Sequence, residues 1–342
     1  MSYIHQTPGA QLVRSILGDA TGSLLTIIDL DAALTHPAAP GCVSRVGFAA
    51  ALNAVLFDGI LNRVPTGAAF VAEQWALGER VRFDHGALRS IRFPDGTTGA
   101  LPAGQDAFVR ILKPLGYDIA GVYPLPRLKM TGRAWAQQDL PEHLPQFFIS
   151  ELHVEQFDGT FGAAARRVFG TSRDPLGPVA AEVLARFERE GEVPLADAVA
   201  ALPVIIAAFD RQHADPALAD YELLLGQSAE AAWIATEGNA FNHATSRVAD
   251  VAAEAERQRA KGRPIKHRVE VSASGRVRQT AFRAALVERR LIDGDAFVVR
   301  WVPGSFYEII SRDADPATGK LDLRFDSGNA TGIFAMTRVA SP

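Results

Sequence analysis

One cysteine, Cys42, in 342 residues excludes an intramolecular disulfide and any cysteine-rich zinc or iron–sulfur site. Charge bias is small. Lys and Arg number 35 against 39 Asp and Glu, and the pI of ≈ 6.1 gives no electrostatic reason to expect a nucleic-acid partner. No uncharged apolar run reaches the roughly 18 residues of a membrane span, and no basic-then-apolar signal pattern opens the chain. A glycine-rich phosphate loop, a nucleophile elbow and a nucleotide fingerprint are also missing. Apolar residues are plentiful, at 48%, enough for a full core and two lobes. The expectation is a soluble, cytoplasmic protein with no membrane partner, its oligomeric state open.

The stretch Arg82–Arg92 reads as a strand, with β-formers Phe83, Leu88 and Ile91 among charges. Alternation puts His85, Ala87 and Arg89 on one face. A metal-binding nitrogen and a fixed positive charge thus lie within ~13 Å along one strand, at ~3.3 Å per residue. The spacing recurs in Asn242–Arg247, where Arg247 follows His243 by four. A third strand, Ser305–Arg312, sets Glu308 between Phe306 and Ile310, where a buried carboxylate needs a partner. Two histidines and one glutamate on three strands make the donor set of a 2-His-1-carboxylate facial triad.

Along the chain, residues 1–44 suggest a short helix at Gln11–Leu17, a strand at Ser23–Leu30 and a linker at Pro37, Pro40 and Gly41. Helices follow at Ser44–Leu61, with Ser44 as N-cap, and at Gly67–Leu77. After the His85 strand come a helix (Ala103–Leu115) and strands at Asp118–Val122, Leu128–Trp135 and Gln146–Gln156: the order β-α-β-β-β. Residues 158–237, rich in Ala, Leu and Glu, predict helices at Pro178–Glu190, Leu195–Arg211 and Ala217–Leu225, with no strand in 178–211. The order then returns: the His243 strand, a helix at Val248–Lys261, and strands at His267–Ser272, Gly275–Phe282 and Ser305–Arg312. A helix is expected at Ala284–Arg290, and closing strands at Leu321–Phe325 and Gly332–Val339. This gives an N-terminal, mostly helical segment (1–77), a first module (78–157), a helical insertion (158–237) and a second module (238–342) in one compact catalytic unit. The fold class is α+β, a pair of βαβββ modules curling one mixed sheet around a metal. That order resembles the vicinal-oxygen-chelate architecture, and the resemblance implies ligands from the first strand of each module and the last strand of the second.

Other polar residues carry competing readings. Glu151 is taken as the first-module counterpart of Glu308, with His153 on its face, as a rival metal pair or as supporting residues. Arg247 either binds substrate or anchors a ligand. Gln279 is a candidate hydrogen-bond donor to a substrate carbonyl. His5, His36, His143, His213 and His267 read as solvated, and Glu254–Arg263 as an exposed helix face.

Short segments in order and spacing resemble the DUF1338 family of 2-oxoadipate dioxygenase/decarboxylases over residues 45–340. They are Asp84-His85-Gly86-Ala87-Leu88-Arg89, Ala232-Trp233-Ile234-Ala235 running into Phe241-Asn242-His243-Ala244-Thr245, Arg278-Gln279-Thr280-Ala281-Phe282, Phe306-Tyr307-Glu308, and Ala330-Thr331-Gly332-Ile333-Phe334. The resemblance implies His85, His243 and Glu308 as ligands of Fe(2+), with zinc or nickel as metals that purification would substitute. It implies Arg89 as a substrate contact; Arg247, on its spacing from His243, and Gln279, which lies in a matched segment, stand beside it as further catalytic candidates. The reaction implied joins a 2-oxo acid with O2 and yields CO2 and D-2-hydroxyglutarate, in lysine catabolism. Two departures stand out: Gly86 replaces a larger aliphatic residue, and Gly328-Asn329 replaces a Val-Ser pair that helps select substrate. A non-oxidative glyoxalase-type metalloenzyme and a non-catalytic small-molecule binder of the same fold remain as alternatives.

Overall fold

The computed structural model describes residues 3–326 and Met336. Eight strands form one mixed sheet: β1 (Arg82–Arg92), β2 (Tyr117–Leu125), β3 (Met130–Gln137), β4 (Gln146–His153), β5 (His243–Arg247), β6 (Glu270–Val271), β7 (Val277–Ala281) and β8 (Phe306–Arg312). Their order is β6-β7-β8-β5-β1-β4-β3-β2, and the sheet curls into a half-barrel. Each half repeats one plan. The first strand pairs in parallel with the last (β1 with β4, β5 with β8), and the others pair antiparallel. A helix lies between the first and second strands of each half, Asp106–Leu112 and Val251–Ala260. The halves meet in the antiparallel pair β1–β5, where Ala87 faces His243 and Gly86 faces Ala244. This is the α+β pair of βαβββ modules that the element order predicts.

The sheet's centre is buried on both faces, as a strand row covered on each side requires. Phe147, Ile149, Ala244, Tyr307 and Ile309 alternate onto one face and join the core built on the helix Arg45–Arg63. Ser44 caps that helix, its Oγ accepting the Gly47 N–H at 3.2 Å. The Phe57 ring meets those of Phe83 and Tyr307 with centroids 4.9 and 6.3 Å apart, and each such fully buried ring stabilises by roughly 1.5–3 kcal/mol. The opposite face carries His85, His243 and Glu308. Among the described residues no helix is long and apolar enough to cross a membrane.

Several local expectations are corrected. Ser23–Leu30 is no strand: Ala20–Ile27 is helical, with Thr21, Leu24 and Leu25 on its buried side, and only Ile28 bridges to Val81. A short apolar run does not reveal its period. Ala284–Arg290 is no helix. Leu286–Asp293 pairs with Ala296–Pro303 in a separate hairpin whose turn residue Gly294 sits at φ +58°, a conformation that disfavours a side chain. Leu291 and Val302 pack this hairpin onto Tyr221 and Leu224, while Phe297, Val299 and Trp301 face outward. The segment 158–237 is helical, but Glu192–Pro194 pairs antiparallel with Cys42–Ser44, so 178–211 is not strand-free. That ribbon depends on an N-terminal partner with no strand signal of its own. Leu321–Phe325 forms only one bridge, Ala314 to Leu321; Gly332–Val339 lies outside the described residues apart from Met336. Glu254 and Gln258 are buried and hydrogen-bonded to each other, so their helix is not an exposed face throughout.

Candidate metal centre

The three candidate ligands stand on the three central strands within one step of register. Thr245 of β5 is the backbone partner of both Glu308 on β8 and His85 on β1, and His243 lies two residues before it. Alternation brings their side chains together, all nearly inaccessible, and their ligand atoms lie within 4.8 Å of one another. Nε2 of His85 is 3.5 Å and Nε2 of His243 is 3.6 Å from Oε2 of Glu308. Thr245 Oγ1 donates to that same oxygen at 2.7 Å and lies 3.0 Å from His85 Nε2.

The far nitrogen of each ring is already committed. His85 Nδ1 bonds Asp84 at 2.8 Å, and His243 Nδ1 bonds Asn242 at 3.1 Å, so both rings turn Nε2 to the cluster. The residue before each histidine does the same job. No sequence argument assigned Asp84 or Asn242 a role, although the repeated pairing of a short acceptor with histidine was a signal. Asp84 reaches His85 because the β1–β5 register shifts between Phe83 and His85. This β-bulge turns the extra residue's side chain towards the side that His85 faces.

Electrostatics favour a cation here. Burial opposes charge on His85, yet its hydrogen bonds to Asp84 and Glu308 raise its pKa. Burial lowers His243 to about 3, with Glu308 opposing and His85 and Arg89 adding to the effect. Burial alone would raise Glu308, but the two imidazoles and Thr245 hold it below its ordinary value. Asp84 is likewise desolvated, and Arg312 and Arg247 hold it well below the carboxylate range. Oε1 of Glu308 is buried without a hydrogen-bond partner among the described residues, a state that costs free energy unless something else binds it. Donors at about 2.0–2.2 Å from one ion stand roughly 3–3.6 Å apart, and the two nitrogen–oxygen separations, 3.5 and 3.6 Å, fall at the upper end of that range. Two imidazole nitrogens and a carboxylate therefore fit a divalent transition metal.

A cavity opens beside the cluster. Arg89, Gln279 and Asn242 line it with the two histidines; Tyr123, Leu125, Phe148 and Phe325 supply its apolar wall. Arg89 is 1% exposed, and its guanidinium lies over the Trp233 ring, 5.0 Å from the centroid. Trp233, part of a segment quoted above without a role, is held by its indole N–H donating to Gly304 O at 3.1 Å. Gly86 has a local cause: a Cβ there would lie 2.2 Å from the Phe241 ring.

Other candidates fall elsewhere. Arg247 does not line the cavity; its Nε bonds Asp84 and its Nη1 bonds Glu142 O. Glu151 is held by Arg92, Arg133 and the Gln105 N–H, and His153 bonds Thr131. They form no metal pair. Nor is Glu151 the counterpart of Glu308, because Phe148 is what pairs with Ala87, two residues after His85, as Glu308 pairs with Thr245. His213 is buried, not solvated: its Nε2–H donates to Ala235 O at 2.9 Å. Gly328 and Asn329 lie outside the described residues.

Residues 64–320 match the 2-oxoadipate dioxygenase/decarboxylase family. No curated protein matches the chain. Among solved structures, a protein from Ralstonia eutropha JMP134 described as of the glyoxalase superfamily is 50% identical, with a TM-score of 0.89 over 93% of this chain and 98% of its own. Hydroxyglutarate synthase from Oryza sativa, in complex with 2-oxoadipate, is 18% identical, with a TM-score of 0.66 over 89% and 97%. The Pseudomonas putida hydroxyglutarate synthase with 2-oxoadipate is 21% identical, with a TM-score of 0.61 over 87% and 74%.

Proposed function

The chain belongs to the 2-oxoadipate dioxygenase/decarboxylase family, and from that premise we propose that it is an iron(II)-dependent enzyme converting 2-oxoadipate and O2 into 2-hydroxyglutarate and CO2. The observation that carries the reading is the convergence of His85, His243 and Glu308 in one buried cluster beside a cavity holding a buried arginine. The atoms balance without a cosubstrate: CO2 carries away the two oxygens of the substrate's own C1 carboxylate, and both atoms of O2 stay in the shortened acid, one in its new carboxylate and one as the 2-hydroxyl. The rice and Pseudomonas proteins, whose structures hold 2-oxoadipate, support the substrate.

In this reading His85, His243 and Glu308 hold the metal. Iron(II), when bound, supplies the electrons that activate O2 and a Lewis-acidic seat for a 2-oxo acid. Arg89 binds a substrate carboxylate through its planar fork, and stacking on Trp233 pre-sets its direction. Gln279 donates its amide to a substrate oxygen. Phe148, Tyr123 and Phe325 keep water from the reacting carbons. The cytoplasm is the compartment proposed, and it is also the one that suits a small-acid substrate and a reducible metal.

Anaerobic reconstitution with Fe(II), followed by O2-uptake and CO2-release assays over a panel of 2-oxo acids, tests the proposal. Equimolar O2 consumption and CO2 release with 2-oxoadipate is expected. A protein that binds the metal and consumes no O2 with any 2-oxo acid would sink the oxygenase reading. Full activity with zinc or nickel on an aldehyde–thiol adduct would select the glyoxalase-type alternative.

A further inference from the structure

The three strands that carry the candidate ligands are tied together a second time, beneath the cluster. Asp84 on β1, Arg247 on β5 and Arg312 on β8 meet in one ionic group. Arg312 grips Asp84 bidentately, Nε to Oδ2 and Nη2 to Oδ1, both at 2.9 Å, and neither side chain is exposed. Its remaining Nη1 donates to the carbonyls of Asp322 and Arg324. Arg247 follows His243 by four residues and Arg312 follows Glu308 by four, so each arginine sits two alternations below a ligand on the same strand.

We infer that Asp84 is the positioning residue of the metal centre: one carboxylate, turned inward by the bulge, orients His85 and clamps the other two ligand strands through Arg247 and Arg312. The inference rests on the metal reading of His85, His243 and Glu308. Its physical basis is the division of the carboxylate's oxygens. Oδ1 accepts from His85 Nδ1 and Arg312, while Oδ2 accepts from Arg247 and Arg312. Such charge-assisted bonds are short and directional. They hold the imidazole in the tautomer that keeps the proton on Nδ1 and turns the bare Nε2 lone pair to the metal site, and they fix how far apart β1, β5 and β8 can move. Hydrogen-bond partners of this kind usually alter metal affinity by about 10- to 100-fold when removed.

The test uses Co(II) alone as the probe, on the full chain, by competition with a chromophoric chelator and by the visible spectrum of the loaded protein. Asp84→Asn keeps the shape and removes the charge. It is expected to weaken Co(II) binding by about 10- to 100-fold and to shift the ligand-field bands. Glu151→Gln is the control, since it also breaks a buried cluster with two arginines, on strand β4 and away from the ligands. It should keep wild-type affinity and bands, although it too lowers the melting temperature. If Asp84→Asn does not fold, Arg247→Gln, which leaves the Arg312 pair intact, is measured instead; at least a threefold loss with altered bands supports the inference. Wild-type affinity and bands in whichever variant folds would overturn it. Wild-type protein that takes up no Co(II) would overturn the metal reading and this inference with it.

Discussion

The half-sheet β1-β4-β3-β2 and the half-sheet β5-β8-β7-β6 share strand order and pairing, and an offset of 158 residues superposes their key positions. His85 then corresponds to His243, Arg89 to Arg247, Asp84 to Asn242 and Gly86 to Ala244, while strand register, at an offset of 160, sets Phe148 against Glu308. The histidines do the same job, while every other pair has diverged. Where the second half supplies the candidate carboxylate ligand, the first supplies an aromatic wall. Where the first half puts a charged acceptor beside its histidine, the second puts a neutral amide. That last difference accounts for the fates of the two arginines. Asp84 draws Arg247 below the cluster, whereas Asn242 offers no such charge to Arg89, which lies in the cavity over Trp233. A symmetric scaffold becomes an asymmetric site: each half gives a candidate ligand histidine, but only the second gives the candidate carboxylate.

Breaking the Phe148–Glu308 difference gives the largest effect. Glu308→Gln keeps the shape but removes the only carboxylate among the proposed ligands. Metal affinity should fall more than about 100-fold and O2 uptake should drop to background, because an amide neither neutralises the cation nor matches the donor set. Metal content after dialysis and O2-electrode traces check it. Retained iron at wild-type stoichiometry would mean that the two halves are less unlike than the register implies.

The arginine pair comes next. Arg89→Ala should leave metal content unchanged and cut kcat/KM by about ten- to a hundredfold, the equivalent of roughly 1.5–3 kcal/mol for a hydrogen bond to a charged group. Arg89→Lys should restore only part of it, since an ammonium lacks the planar fork. Arg247→Ala should show the converse pattern, with weaker metal retention and a largely preserved KM. Similar kinetics in the two variants would refute the division of labour.

The Gly86–Ala244 pair tests packing. Gly86→Ala forces a methyl group into the Phe241 ring and should destabilise by about 1–3 kcal/mol. Ala244→Gly loosens a strand, at roughly 0.5–1 kcal/mol, and removes one buried methyl, at about 0.8 kcal/mol. Urea midpoints of both variants rank the two; a reversal would mean that Phe241 yields freely.

Much of this was legible in the chain. Alternation around His85, the repeated His-x-x-x-Arg spacing and Glu308 between apolar neighbours brought the cluster into view, and the element order anticipated the doubled sheet. The rest was hidden for physical reasons. Strict alternation puts Asp84 opposite His85, and only the bulge, a property of two strands in register, turns it inward. Glu151 matched Glu308 in element order but not in register, which sequence does not display. The Leu286–Pro303 hairpin reads poorly because its outward face is apolar, so the hydrophobic pattern has no clear period. His213 sits in a polar stretch, yet tertiary packing buries it.

That histidine offers the smallest effect and a reference for the comparison, since it is buried outside both half-sheets. His85 has carboxylates on both sides; His213 has a carbonyl and the edge of Phe169, and burial lowers its pKa to about 4, with Arg211 adding to the shift and the Ala235 carbonyl and Asp215 opposing it. Its folded pKa thus lies below the ordinary value of about 6.5. Between those values the unfolded chain takes up a proton that the folded chain refuses, so stability falls as pH drops from about 6.5 towards 4 and levels off below. Above pH 6.5 both states are neutral there and nothing is lost. By pH 5.5 the linkage is worth about 1 kcal/mol. His213→Gln can keep the donor to Ala235 while removing the titration. Urea unfolding of wild type and variant at pH 7.5 and 5.5 isolates this from all other groups: the wild type should lose about 1 kcal/mol more than the variant. Equal losses would show that the buried imidazole takes up its proton without cost, and burial without a carboxylate would then not distinguish His213 from His85.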